Sequence, residues 1–350
     1  MSTETSIPPT PPSPGVGTRR RGPKPHPRLP LSAFQSPPNS GTLESFPLPP
    51  SPSTVHPGVV IDANVIVPNG DLNLTRWKSE AGQILGGRVG GVVLSLPGAD
   101  LEKVIETLGS GQSSTPILSL AIPFNLEDKE QTTPSYVTSS TVATSLTTVF
   151  NRSTPEGVAS LRWALEHGWP VDIDIQAPIS DAVLESFEDI ISKATAGLSK
   201  IPPIVLSNVL PPPHDLELPI VKLMNHPTYL AFQSQTAALS LFPDVYVKFL
   251  PPSWDAPTPP TPSVETSVVS ESTQKKEWKR RIKMYLGPVM EAFGYQRIIF
   301  GSSPCPTSEG SSIASDWYEI ARESLAELGV EQDSIDAVFY GNAKKVYGSQ

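Results

Sequence analysis

Cysteine is almost absent from this chain: Cys305 is the only one in 350 residues. No internal disulfide can form, and the shortage fits a reducing compartment, so a cytoplasmic location is expected. A lone thiol can act as a nucleophile, but one unpaired cysteine is more often a small buried residue. Histidine is nearly as scarce, with His26, His56, His167, His214 and His226 making up the full set. Positive charge is short as well. The 26 Lys and Arg face 35 Asp and Glu, for a net charge of −9, and phosphate neutralisation needs clustered basic side chains, so nucleic acid is not expected as a partner. No apolar run approaches the ~20 residues that span a bilayer, so no membrane partner is expected either. The N-terminus lacks the apolar core of a secretory signal, and its prolines would break the amphipathic helix of a transit peptide.

Proline, by contrast, is abundant, at 41 residues. Residues 1–57 are dominated by Pro, Ser and Thr with few large apolar side chains, and such a stretch cannot bury enough surface to offset its ordering entropy. A disordered tail is expected there. Lys24, Pro27 and Pro30 fit the spacing of a polyproline II ligand for an SH3-type groove, a match that Pro-rich sequence also produces by chance. Ser13, Ser36 and Ser51 each precede a proline, as proline-directed phosphorylation requires.

The folded part, taken as 58–350, begins at Val59–Val67. This β-branched run, bounded by Pro57-Gly58 and Pro68-Asn69-Gly70, has the composition of a strand buried on both faces, as in a parallel sheet. Asp62 and Asn64 interrupt it, and their spacing places both on one side of a regular strand. A buried polar pair of this kind must be satisfied or used.

Seven further strands follow, alternating with helical stretches: Arg88–Leu96, Pro116–Pro123, Leu146–Phe150, Val171–Gln176, Pro203–Leu210, Asp244–Leu250 and Arg297–Ser302. Eight parallel strands with crossover helices are the count of a (β/α)8 TIM barrel rather than of an open doubly wound sheet. Thr154-Pro155 opens one helix and Gly168 closes it. Asp181–Ala196 is amphipathic, and Leu218–Phe242 is helical with a break near Pro227. A weak helix is read over Glu130–Thr144. Between strand seven and its helix, Pro251–Thr273 reads as a polar flexible insertion at the C-terminal rim. Lys275, Lys276, Lys279, Arg280 and Arg281, beside Glu277, read as a solvated helix face rather than a phosphate site.

The C-terminal quarter carries a resemblance. Tyr285–Ser303, a helix over Ile313–Leu328, and Asp336–Tyr347 with Gly341-Asn342-Ala343 resemble the end of the amidohydrolase-related family of metal-dependent hydrolases, in which a G-S-D strand precedes a helix bearing G-N-A. VVIDANV resembles the family's opening I-D-x-H-x-H strand. The resemblance spans about Val59 to Gly348 and implies a (β/α)8 barrel hydrolase with a divalent cation held by histidines on strands one, five and six and by the strand-eight aspartate.

None of those ligands is present. The corresponding positions read Asn64 and Ile66, Asp174, Asn208 and Ser303. Neutral amides and hydroxyls are poor ligands for a catalytic zinc, and Ile66 ligates nothing. No metal or other cofactor is expected. What remains is a polar rim of Asn64, Asp174, Asn208, Lys248 and Ser303. Asp174 and Lys248 could act as an acid/base pair on a small carbonyl ligand, since the superfamily includes metal-independent lactonases. Alternatively Lys248 merely neutralises Asp174, because buried carboxylates are usually paired. The sequence thus leaves open a pseudoenzyme, a degenerate barrel that binds a ligand or serves as a scaffold, and a metal-independent hydrolase of a lactone, ester or amide.

Overall fold

In this computed structural model, strand β1 (Val60–Ile66) buries every residue but the last. The structure describes residues 51–109, 115–128, 137, 140–175, 180–254, 256–261, 273–305 and 312–348. The expected tail, with Lys24, Pro27 and Pro30, therefore lies outside the described residues up to residue 50, as does most of Glu130–Thr144.

Seven strands continue the sheet: β2 (Val89–Ser95), β3 (Ile117–Pro123), β4 (Ala143–Phe150), β5 (Val171–Ile175), β6 (Ile204–Leu210), β7 (Val245–Phe249) and β8 (Ile298–Phe300). They lie in sequential order, and each pairs with the next in parallel. The barrel read from the sequence is the observed architecture. One boundary moves: β4 starts at Ala143, because Ala143 and Thr144 pair with Ser119 and Leu120 of β3, and a β-branched Thr suits a pleated surface as well as a helix.

The helices are α1 (Thr75–Gly86), α2 (Leu101–Gly109), α3 (Pro155–Glu166), α4 (Asp181–Thr195), α5 (Ile220–Leu223), α6 (Pro227–Leu239), α7 (Thr273–Phe293), α8 (Ala314–Glu327), α9 (Gln332–Asp336) and α10 (Asn342–Tyr347). The Thr154 hydroxyl accepts from Gly157 N at 3.0 Å, with Pro155 in the first turn. Pro227 opens α6 and separates it from α5, as its missing N–H dictates. No described helix is long and apolar enough to cross a membrane.

Two corrections concern the rim. The described parts of the insertion are 251–254 and 256–261, and the first is anchored: Trp254 is buried, donates from Nε1 to Pro212 O at 3.0 Å and lies 4.8 Å from the Trp278 ring. Lys275, Lys279 and Arg281 are buried rather than solvated. Lys275 and Lys279 pair with Glu323 of α8 at 3.1 and 2.9 Å, and Lys279 also reaches Glu327.

The apolar interior has two parts. The larger lies between sheet and helices and includes Phe150, Phe187, Trp278 and Trp317. The smaller fills the barrel itself, where Ile61, Ala63, Val93, Val205, Tyr246 and Ile299 meet Ala343, Val346 and Tyr347 of α10. Ile61, Val205 and Tyr246 are each the second residue of their strand, so α10 plugs the N-terminal end of the barrel. Asn342 fastens the plug by donating to Tyr295 O and Ile298 O at 2.6 and 2.7 Å.

Candidate functional site

The site begins with an irregularity in β1. Asp62 pairs with Val92 and Val65 with Leu94, so three steps on β1 match two on β2. This is a β-bulge, which breaks the alternation of side chains. The expectation that Asp62 and Asn64 share a side is thereby corrected. Asp62 faces α1, fully buried, and accepts from Trp77 Nε1 (3.0 Å), Ser302 N (2.8 Å) and Asn64 N (3.2 Å). Burial raises its pKa, and the hydrogen bonds from Ser302, Asn64 and Trp77 oppose the rise. Asn64 instead turns into the barrel mouth.

There it closes the barrel. Asn64 O accepts from Ser303 N at 2.9 Å, and Asn64 Nδ2 donates to Ser303 O at 2.8 Å and to Pro304 O at 3.3 Å. Ile66 N donates to the Ser303 hydroxyl at 3.1 Å. The three positions that the family resemblance assigns to metal ligands on β1 and β8 therefore stitch those strands together. Gly301 permits the approach: a Cβ there would lie 2.6 Å from Asn64 Cβ and 2.7 Å from Leu250 Cδ2.

On the barrel axis, Lys248 of β7 is buried and donates to Asp172 Oδ2 at 2.6 Å and to Asn64 Oδ1 at 3.2 Å. The second Asp172 oxygen accepts from the Tyr347 hydroxyl at 2.6 Å. Burial first, then the charge and hydrogen bond of Asp172, push the Tyr347 pKa far up, so the phenol stays protonated. The lysine's ion-pair partner is thus Asp172, not Asp174 as the sequence reading had it. Val171 and Ile173 belong to the sheet–helix core, so Asp172 and Asp174 both point inward. That parity was legible in VDIDI. Tyr347 was not, because it arrives from the last helix.

The five rim residues divide. Asn64, Asp174 and Lys248 line one cavity of about 20 Å3, with Thr147, Asp172 and Ser207, a space for roughly one water. Ser303 lines a separate cleft of about 840 Å3 outside the barrel axis, between α1 and the start of α8, with Trp77, Cys305 and Ile313. Asn208 adopts a left-handed backbone (φ 63°) and donates to Ile175 O at 3.1 Å. His214 is also accounted for. It contacts Arg281 through Nε2 and the Tyr285 hydroxyl through Nδ1 at 2.7 Å. Burial and the Arg281 charge lower its pKa to about 4.

The residues present do not fit the divalent cation that the fold resemblance implies. The donors at its positions are two amides, a hydroxyl, a hydrocarbon and one carboxylate, and an ammonium already holds the Asn64 carbonyl oxygen. Among the described residues no group of three or more His, Cys, Asp or Glu could hold a metal ion.

No family model and no curated protein matches the chain. Solved structures do. An amidohydrolase from Burkholderia multivorans aligns with TM-score 0.51 at 13% identity over 83% of this chain and 99% of that one. Amidohydrolase 2 from Bifidobacterium longum subsp. infantis aligns with TM-score 0.50 at 16% identity over 82% and 98%. A putative 2-pyrone-4,6-dicarboxylic acid hydrolase from Pseudomonas putida aligns with TM-score 0.50 at 18% identity over 83% and 97%. Identities this low speak to architecture alone, and on that evidence the chain has the (β/α)8 barrel fold of the amidohydrolases.

Proposed function

We propose that this amidohydrolase-like barrel does not carry out metal-dependent hydrolysis and works as a binding or scaffold protein. The observation that carries the reading is the Lys248 ammonium, held 2.6 Å from Asp172 and 3.2 Å from Asn64 beside a cavity of about 20 Å3. A hydrolytic metal acts by polarising a carbonyl or lowering the pKa of a bound water, and both roles require an open coordination position that a substrate can reach. Here Lys248, Asp172, Asn64 and Tyr347 hold one another.

Metal analysis tests this directly. Purified protein is expected to carry less than about 0.1 equivalent of zinc, manganese or iron, and a stoichiometric ion would end the proposal. A second reading, metal-independent hydrolysis of a lactone, is favoured by Asp174 and Lys248 lining the same cavity and by the pyrone-dicarboxylate hydrolase among the fold's likenesses. In that mechanism a carboxylate serves as general base towards water while the ammonium stabilises the developing oxyanion. Turnover of a lactone and ester panel that disappears in both Asp174→Asn and Lys248→Met would replace the scaffold reading with this one.

A further inference from the structure

We propose that Lys248 is a resident cation that does the charge work of a metal ion at the barrel mouth, and that removing its ammonium opens a site for a hard divalent cation. The inference rests on the reading that the natural barrel works without metal. It starts from the meeting of four elements at one ion pair. Asp172 comes from β5, Asn64 from β1, Lys248 from β7, and Tyr347 of α10 completes the hydrogen bonding of Asp172 from below. Lys248 is 3% exposed and Asp172 also 3%, so neither charge is screened by solvent.

An isolated charge at this depth is very costly, whereas a pair with its remaining positions hydrogen-bonded is tolerated. Asn64 extends the grip, since its amide nitrogen holds the Ser303 and Pro304 carbonyls across the seam. Lys248 thereby links β7 to β5 and to the β1–β8 closure, the linkage a bridging metal supplies in metalloprotein sites.

The walls around Nζ are oxygen-rich. Asp172, Asp174, Asn64, Thr147 and Ser207 all line the adjoining cavity. Carboxylate, amide and hydroxyl oxygens suit Mg2+ or Mn2+, while zinc prefers nitrogen and sulfur. Truncating the lysine at Cβ would leave this wall facing an enlarged space without a counter-charge.

The experiment compares melting temperatures of the full-length protein and its variants, each purified free of metal, with and without millimolar Mn2+. Lys248→Ala is expected to melt about 10 °C below the parent, in line with the loss of a buried pair. Mn2+ should recover several degrees of this loss and leave the parent unchanged. Lys248→Met fills the space without charge, so it should melt low and ignore Mn2+. Adding Asp172→Asn to Lys248→Met removes the stranded carboxylate and should restore most of the difference, which keeps the test readable if Lys248→Ala does not fold. A Lys248→Met protein that melts with the parent, or a double variant no better than Lys248→Met, overturns the cation role. A folded Lys248→Ala that ignores Mn2+ overturns the opened site. Stoichiometric metal in the parent is a different result, because it overturns the proposed function on which the inference rests.

Discussion

His214 shows how a residue that looks chemical can be structural. It follows β6, where a barrel places functional side chains, yet its ring nitrogens are taken by Arg281 and Tyr285. Burial and the neighbouring guanidinium hold it neutral, with a pKa of about 4. The unfolded histidine titrates near 6.5, so between these values the unfolded chain binds more protons than the folded one. The contribution to stability is complete above about pH 6.5 and is lost as pH falls toward 4. Because the ring is only half buried, solvent screening reduces the effect to on the order of 1–2 kcal/mol. Urea unfolding across this range should show the slope, and His214→Gln should flatten it.

At the scale of elements, the pairing of α7 with α8 accounts for Lys275 and Lys279 of the basic cluster, while Lys276 and Arg280 stay exposed. Lys275, Lys279 and Lys283 meet Glu323 and Glu327 on the facing helix. Burial raises the two carboxyl pKa values, but the lysines outweigh it and the net direction is down. Stability from these pairs is therefore present above the unfolded carboxylate range and is lost as pH falls through the lower folded values. Glu323→Gln leaves Lys275 and Lys279 buried with only part of their counter-charge. The expected loss is about 3 kcal/mol, read as a lower urea midpoint at pH 7. The partners lie 44 to 48 residues apart in sequence, and for that reason a local reading saw only Glu277 and assigned the lysines to solvent. Helix boundaries were more accessible, since the Thr154 cap and the Pro227 break are set by neighbouring atoms.

For the whole molecule, closure of the barrel depends on how near β8 comes to β1. Gly301→Ala would set a Cβ 3.1 Å from Asn64 N as well as against Asn64 Cβ, and the backbone nitrogen cannot move aside without disturbing the seam. The expected cost is about 2–3 kcal/mol by thermal or urea unfolding. Gly90→Ala is the contrasting case: its nearest obstacle is Val59 Cγ1 at 2.5 Å, the end of an exposed side chain that can rotate, so less than about 1 kcal/mol should be lost. Equal losses would mean that the seam is not tight.

The sequence by itself determined the barrel. Eight β-rich runs, their intervening helices and the substitutions at Asn64, Ile66, Asn208 and Ser303 are all local patterns, and hydrophobic periodicity and side-chain chemistry can be read without knowing what lies opposite. Tertiary structure decided what the rim residues do. The bulge that separates Asp62 from Asn64, the choice of Asp172 over Asp174 by Lys248, and the arrival of Tyr347 from the last helix each depend on distances between residues far apart in the chain. Spacing along a strand says which face a side chain takes, but an ion pair is settled by which charges meet in space once the barrel closes.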